Sequence, residues 1–208
     1  AIADMWVGHQ HVSVIDNSTG FEDKIERAVQ AICHHVGVAV PTSHRRYFLV
    51  PQESAAALRG VSQRDGFKLV SLNLTYDYLK AEAGHRRTRI QKRGEAFPFT
   101  YSMSDYSYAM VDGNMHRVES KRMLSPANYE FLRGTQVDPA FFTVKKRRQV
   151  FLWNHTYWWV DTLSTPESHR GLSVLSVDVA EDQSSGNLEM PPFLEVLEEV
   201  TGDDRYMS

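Results

Sequence analysis

Lys145-Lys146-Arg147-Arg148-Gln149-Val150-Phe151-Leu152-Trp153-Asn154-His155-Thr156-Tyr157-Trp158-Trp159-Val160-Asp161 is the stretch on which the reading of the fold turns. In a strand, successive side chains point to opposite faces, so Lys146 and Arg148 share one face and Lys145 and Arg147 the other. Asn154-His155 supplies a hairpin tip, beyond which Tyr157, Trp159 and Asp161 share a face and Trp158 and Val160 take the opposite one. A basic edge that discourages strand-on-strand aggregation would have the same pattern. The design recurs elsewhere in the chain, however, which makes it a plan for a sheet rather than one protected edge.

Working outward, Arg45 to Val50 begins a strand, Ser54 to Leu58 make a short helical turn, and Lys68 to Leu79 read as a long strand. Arg86 to Lys92 form another between Gly84 and Gly94, followed by Phe99 to Ser104, a turn at Asp112-Gly113-Asn114, and Met115 to Met123. Ser125-Pro126 opens a helix to about Arg133, with Ser at the cap and Pro in the first turn. Ser173 to Val179 form a late strand, and Pro191-Pro192 precede a closing helix, Phe193 to Val200, with Phe193, Val196, Leu197 and Val200 on one face. Many strands with few short helices predict an antiparallel barrel or strongly curved sheet.

The first 40 residues read differently. His11 to Ile15 is a short buried-strand pattern, Thr19 with Glu22 makes a capping box, and Phe21, Ile25, Ala28, Val29, Ile32 and Val36 follow at helical spacing up to Gly37. A lone strand needs a sheet to join, so residues 1–40 are expected to be the last strand and helix of a domain lying mostly upstream, with a second domain over 41–208.

With 208 residues, 42% of them apolar, the chain can build one sizeable core. No run approaches the ~20 apolar residues of a membrane span. Cys33 has no second cysteine to pair with, which fits a reducing, cytoplasmic setting. The histidines show no metal-ligand spacing, and His34-His35 diverge by about 100° on a helix, so no metal is expected there. The formal charge of −3 hides local order: cations gather in strand blocks, acids toward the carboxyl end.

Sorted by face, Arg87 and Arg89 project together, as do Arg117, Glu119 and Lys121, then Lys146 and Arg148, then Ser176 and Asp178. If those faces line an interior, five or more cations meet two or three acids, an arrangement costly to desolvate without a polyanion or fixed carboxylates. Phosphate is the natural ligand, since Arg offers planar paired donors and Lys a mobile point charge. If the same faces are exterior, they are simply solvated. Nucleic acid is not expected: the chain is net acidic and has no recognisable RNA- or DNA-binding motif.

Thr75-Tyr76 with Leu79, Arg86-Arg87-Thr88-Arg89 closing on Arg93-Gly94, Arg117-Val118-Glu119 with Leu124-Ser125, Asp138-Pro139, Lys146 with Arg148, Tyr157 through Asp161, and Pro191 through Asp203 resemble, in order, the CYTH or triphosphate-tunnel domain. His9-Gln10-His11, Val14 to Thr19 and Phe21 to Lys24 are similar to the tail of the kinase-like P-loop NTPase domain fused to it in one family, the TRPL-translocation-defect type. The resemblance implies an α+β fold: an eight-stranded antiparallel tunnel with short flanking helices, preceded by the strand-helix remnant of a P-loop domain. It also implies phosphate ligands, phosphoinositide and GTP binding, membrane trafficking, and a nucleotide with magnesium held by the upstream P-loop domain rather than by this chain. The cytoplasmic placement would then be peripheral to membranes.

Departures from the family pattern bear on chemistry. The metal-holding Glu-x-Glu-x-Lys of catalytic tunnels corresponds to Ser43-His44-Arg45-Arg46-Tyr47, the later Glu-x-Glu to Glu119-Ser120-Lys121, the strand-final acid pair to Ser176-Val177-Asp178, and an expected Lys to Ser104. Magnesium takes oxygen ligands, and metal-assisted phosphoryl transfer depends on it. A Gly-x-x-x-x-Gly-Lys-Ser/Thr loop is also missing. The expectation is therefore a non-catalytic tunnel with no metal and no catalytic residues. Arg87, Arg89, Lys146 and Arg148 would clamp phosphate, Arg117, Lys121 and Arg45 would support them, and Glu119, Asp161 and Asp178 would orient the cations. Two alternatives stand beside it: a residual metal-dependent triphosphatase using Glu119, Asp161 and Asp178, and a protein-interaction domain whose Trp153, Tyr157, Trp158 and Trp159 form an exterior contact.

Overall fold

The computed structural model describes residues 5–9, 11–15, 20–38, 40–41, 44–80, 87–111, 114–154, 156–179, 188–203 and 205–206, with backbone alone for 40, 41, 44, 111 and 114–117. Its strands are β1 (Val40–Pro41), β2 (His44–Val50), β3 (Leu69–Leu79), β4 (Arg87–Gly94), β5 (Thr100–Val111), β6 (Asn114–Leu124), β7 (Val144–Trp153), β8 (Thr156–Thr165), β9 (Ser173–Val179) and β10 (Glu198–Glu199). Its described α-helices are α1 (Phe21–His35), α2 (Gln52–Asp65) and α3 (Pro126–Thr135). No described helix is long and apolar enough to cross a membrane.

Strand order is β1-β6-β5-β4-β3-β7-β8-β9-β2-β10. The β1–β6, β5–β6, β4–β5, β8–β9, β2–β9 and β2–β10 pairs are antiparallel. This corrects the expected barrel: the sheet has ten strands and two ends, not a closed ring of eight. Both end strands are two residues long. Pro41 has no N–H to extend pairing, and Glu198 and Glu199 are an exposed, like-charged pair of the kind that blunts an edge.

The chain divides into two compact units: Ala1–Val14, Ser43–Asn73 and Lys146–Ser208 make one; Ile15–Thr42 and Leu74–Lys145 make the other. In the first unit, alternation puts Phe48, Val50, Phe151, Trp158, Val160, Leu175 and Val177 on one face, where α2 adds Ala55 and Leu58. α2 runs 14 residues, well past the short turn expected, and ends where Gly66 takes a left-handed φ of 72°. The opposite face carries Val150 and Trp159, covered by Val7. Gly8, at φ 82°, lies so close that an added Cβ would come within 2.7 Å of Val70.

Two sequence expectations fail in these segments. Residues 11–15 are not a strand, because among the described residues no sheet edge pairs with them. Residues 193–200 are not a helix. Leu197 N–H instead donates to the Leu49 carbonyl at 2.9 Å and Val200 N–H to Tyr47 at 2.8 Å, so satisfying the β2 edge wins over helical spacing, and Leu197 stays 61% exposed.

In the second unit, Leu79, Ile90 and Met103 close on Tyr129 of α3. The Ser125 hydroxyl accepts the Asn128 N–H at 3.1 Å, as the Ser-Pro start predicts. Ser125→Ala is expected to cost about 1 kcal/mol, read from the urea midpoint. Helix α1 forms over the predicted span, but none of its residues is buried. Phe21, Ile25, Val29, Ile32 and Val36 are exposed, while Arg27, Ala31 and His34 on the other side are half-buried. The Thr19 capping box and the Asp112-Gly113 turn fall outside the described residues, although Val111 and Asn114 pair across that turn.

Candidate functional site

Two polar clusters, one in each unit, hold the charged residues singled out above. In the first unit, Lys146 and Arg148 of β7 and Asp161 of β8 meet across the hairpin. Lys146 Nζ lies 2.8 Å from Asp161 Oδ2, and Arg148 donates through Nε and Nη2 at 2.7 Å each. Lys146 is 6% exposed and Asp161 5%. Lys145 and Arg147 are exposed, the other half of the alternation. Beside the triad, Arg45 is directly opposite Asp178 in the β2–β9 register and bonds it at 2.7 and 3.2 Å. The Trp159 ring receives both guanidinium groups, Arg45 at 4.6 Å and Arg148 at 5.2 Å.

The electrostatics of this cluster are largely closed on themselves. Burial alone would raise the Asp161 carboxyl, but Arg148 and then Lys146 hold it well below the ordinary carboxylate range. Burial likewise opposes the Arg45 charge, which Asp178 and then Tyr47 restore. Arg45, Lys146 and Arg148 against Asp161 and Asp178 leave 3 − 2 = +1.

The second unit is assembled by cross-strand register. Arg89, Ser104 and Lys121 form one row over β4, β5 and β6, and Arg87, Tyr106 and Glu119 form the next. Arg89 sits between two rings, 4.6 Å from Tyr76 and 5.0 Å from Tyr106. Its Nε is buried without an acceptor. Tyr106 donates its hydroxyl to Glu119 at 3.0 Å, and His34 of α1 stands 3.8 Å from the other Glu119 oxygen. Burial would raise the Glu119 carboxyl; His34, Ser104, Arg89 and Tyr106 together hold it far below its usual range.

Lys121 is the contrasting group. Burial lowers its pKa, Glu119 and Tyr76 offset this in part, and Arg93 and Arg89 add to it. Among the described residues neither Arg89 nor Lys121 has an ion-paired carboxylate. Arg87 is exposed at the start of β4, its guanidinium 5.8 Å from the Tyr78 ring and 5.7 Å from that of Phe141. Arg117 is described only as backbone paired with Tyr108.

The expected residues therefore fall in two clusters, one in each unit. Arg45, Lys146, Arg148, Asp161 and Asp178 belong to the first, and Arg87, Arg89, Lys121 and Glu119 to the second. Tyr76, Tyr106, Ser104 and His34 were not singled out as ligands or holders. Only strand register, which brings 89, 104 and 121 abreast and sets 106 between 87 and 119, could have found Ser104 and Tyr106. Among the described residues no three His, Cys, Asp or Glu side chains converge as a metal-ligand set would.

No family model and no curated protein matches the chain. Among solved structures it is similar to the hypothetical protein NE1496, at 24% identity over 79% of this chain and 93% of that one, with a TM-score of 0.47. A second structure, the inorganic triphosphatase NE1496, gives 22% over 80% and 91% at 0.46. A putative adenylate cyclase from Bacillus halodurans gives 15% over 69% and 84% at 0.43. With identities below 25% and TM-scores below 0.5, function has to be sought in the side chains.

Proposed function

We propose that the protein binds phosphorylated ligands without turning them over, and that the ligand is held on the second unit by Arg89 and Lys121, with Arg87 exposed in the next row at the start of β4. The observation that carries this reading is the Arg89 guanidinium. It is fixed between Tyr76 and Tyr106 with a buried Nε lacking an acceptor, beside an ammonium that has no ion-paired carboxylate among the described residues. A buried unsatisfied donor costs about 1–3 kcal/mol, so a site that keeps one is built for an acceptor that arrives later. Phosphate oxygens match it best. Lys146, Arg148 and Arg45, whose donors already meet Asp161 and Asp178, serve chiefly to lock their own unit.

The non-catalytic half of the proposal rests on the acids. Asp161 and Asp178 accept from cations, and Glu119 from Tyr106, so each carboxylate that might hold a divalent metal already has a partner. On the sequence resemblance, the ligand is a phosphoinositide headgroup, a nucleotide or a polyphosphate. The same resemblance puts the chain beside an upstream P-loop domain, at the cytoplasmic membrane periphery.

Calorimetric titration with tripolyphosphate and inositol trisphosphate tests the proposal. Arg89→Met is expected to weaken binding by about 1–3 kcal/mol, or roughly 5- to 150-fold, while Lys145→Met on the exposed side leaves it unchanged. Equal affinities in wild type and Arg89→Met would overturn the site. Release of phosphate from tripolyphosphate with Mg²⁺, lost in Asp178→Asn, would overturn the non-catalytic half.

A further inference from the structure

The amine of Lys121 has surroundings that phosphate binding alone does not use. It shares a cross-strand row with Arg89 and a strand face with Glu119, two residues away, and lies within electrostatic reach of both. Glu119 is ionised and steadied by the Tyr106 hydroxyl. The face thus combines a fixed guanidinium, a primary amine and an ionised carboxylate beside it. An anion seated on the guanidinium would present a carbonyl carbon on the same small molecule to Nζ at high effective concentration.

We propose that Lys121 is a carbonyl-capturing amine, forming a reversible imine with small phosphorylated aldehydes or ketones that dock their phosphate on Arg89. This rests on the reading of the same face as an anion site. Neutral Nζ adds to the carbonyl carbon: the C–N bond forms and the carbonyl π bond breaks. A proton passes from nitrogen to oxygen through solvent water, giving a carbinolamine. The hydroxyl then leaves as water, taking up a proton from solvent while nitrogen gives up its remaining one, and C=N forms. The step needs no oxidant or reductant. Burial favours it by lowering the Lys121 pKa and so enlarging the neutral fraction.

The test uses the whole chain and pyridoxal 5′-phosphate below stoichiometry, followed by borohydride and peptide mass spectrometry. Lys121 is expected to carry about tenfold more reduced adduct than exposed Lys68 or Lys145. Pyridoxal without phosphate, or the phosphate reagent on Arg89→Met, should bring Lys121 down to the level of those lysines. Lys121→Arg should lose the adduct, and Lys145→Met should keep it. Labelling of Lys121 no greater than that of Lys145, in protein that calorimetry shows to bind tripolyphosphate, overturns the imine and leaves the anion site standing. Absence of both labelling and tripolyphosphate binding overturns both. Equal labelling by the phosphorylated and plain aldehydes shows a merely reactive lysine and overturns phosphate guidance.

Discussion

Asp161→Asn is expected to destabilise the protein by about 3–5 kcal/mol, measured as a fall in the urea or thermal midpoint. Asparagine keeps the shape but not the charge, so Lys146, 6% exposed, and Arg148 would lose the carboxylate they share. The control is Asp178→Asn. That carboxylate is 45% exposed, and screening limits its pair with Arg45 to about 0–1 kcal/mol. Replacing Lys146, Arg148 and Asp161 together by apolar residues of similar volume should recover most of the loss, because the penalty belongs to the broken pair rather than to the missing one. The pH dependence has a definite sign. Asp161 has a lowered carboxyl pKa in the fold, so its contribution is complete above the unfolded value of about 3.9 and disappears as pH falls below it toward the folded value. Asp161→Asn should therefore show a shallower loss of stability than wild type below about pH 4.

That triad also marks how far the sequence could be read. Alternation alone assigns Lys146 and Arg148 to one face and Lys145 and Arg147 to the other, because one strand face is buried and a slip of one residue would bury the wrong pair. The β7–β8 hairpin was legible for the same reason, with Asn154, at φ 45°, as a residue that tolerates the left-handed turn. Partner choice was not legible. Nothing in the spacing of Arg89, Tyr106, Ser104 and Lys121 puts them together until the β4–β5 and β5–β6 registers are known. The closing segment shows the converse limit. Phe193, Val196, Leu197 and Val200 fit a helix, yet two of that segment's amides are spent on the β2 edge. Side-chain periodicity says nothing about an edge elsewhere in the chain that needs donors.

The second cluster should respond with the opposite sign. Lys121→Met, alone or with Arg89→Met, is expected to raise stability by about 1–2 kcal/mol while the double variant loses phosphate binding by more than about a hundredfold. Folding takes the Lys121 ammonium partly out of water, and among the described residues no carboxylate forms an ion pair with it, which is why burial is the largest influence on its pKa. A methionine of similar length removes that cost. Arg89 gains more from its surroundings, since Tyr76 and Tyr106 flank it, so most of the stability gain should come from Lys121 and most of the binding loss from Arg89. Here too pH separates the readings. A lysine whose folded pKa is lowered binds fewer protons in the fold than in the unfolded chain, so wild-type stability should rise as pH climbs from the lowered value toward about 10.4. In Lys121→Met that part of the rise should vanish. Saturating tripolyphosphate should reverse the order at neutral pH, because ligand stabilises only the protein that binds it. A Lys121→Met variant less stable than wild type without ligand would mean that the ammonium is part of the frame, and the unsatisfied Arg89 Nε would no longer speak for a ligand.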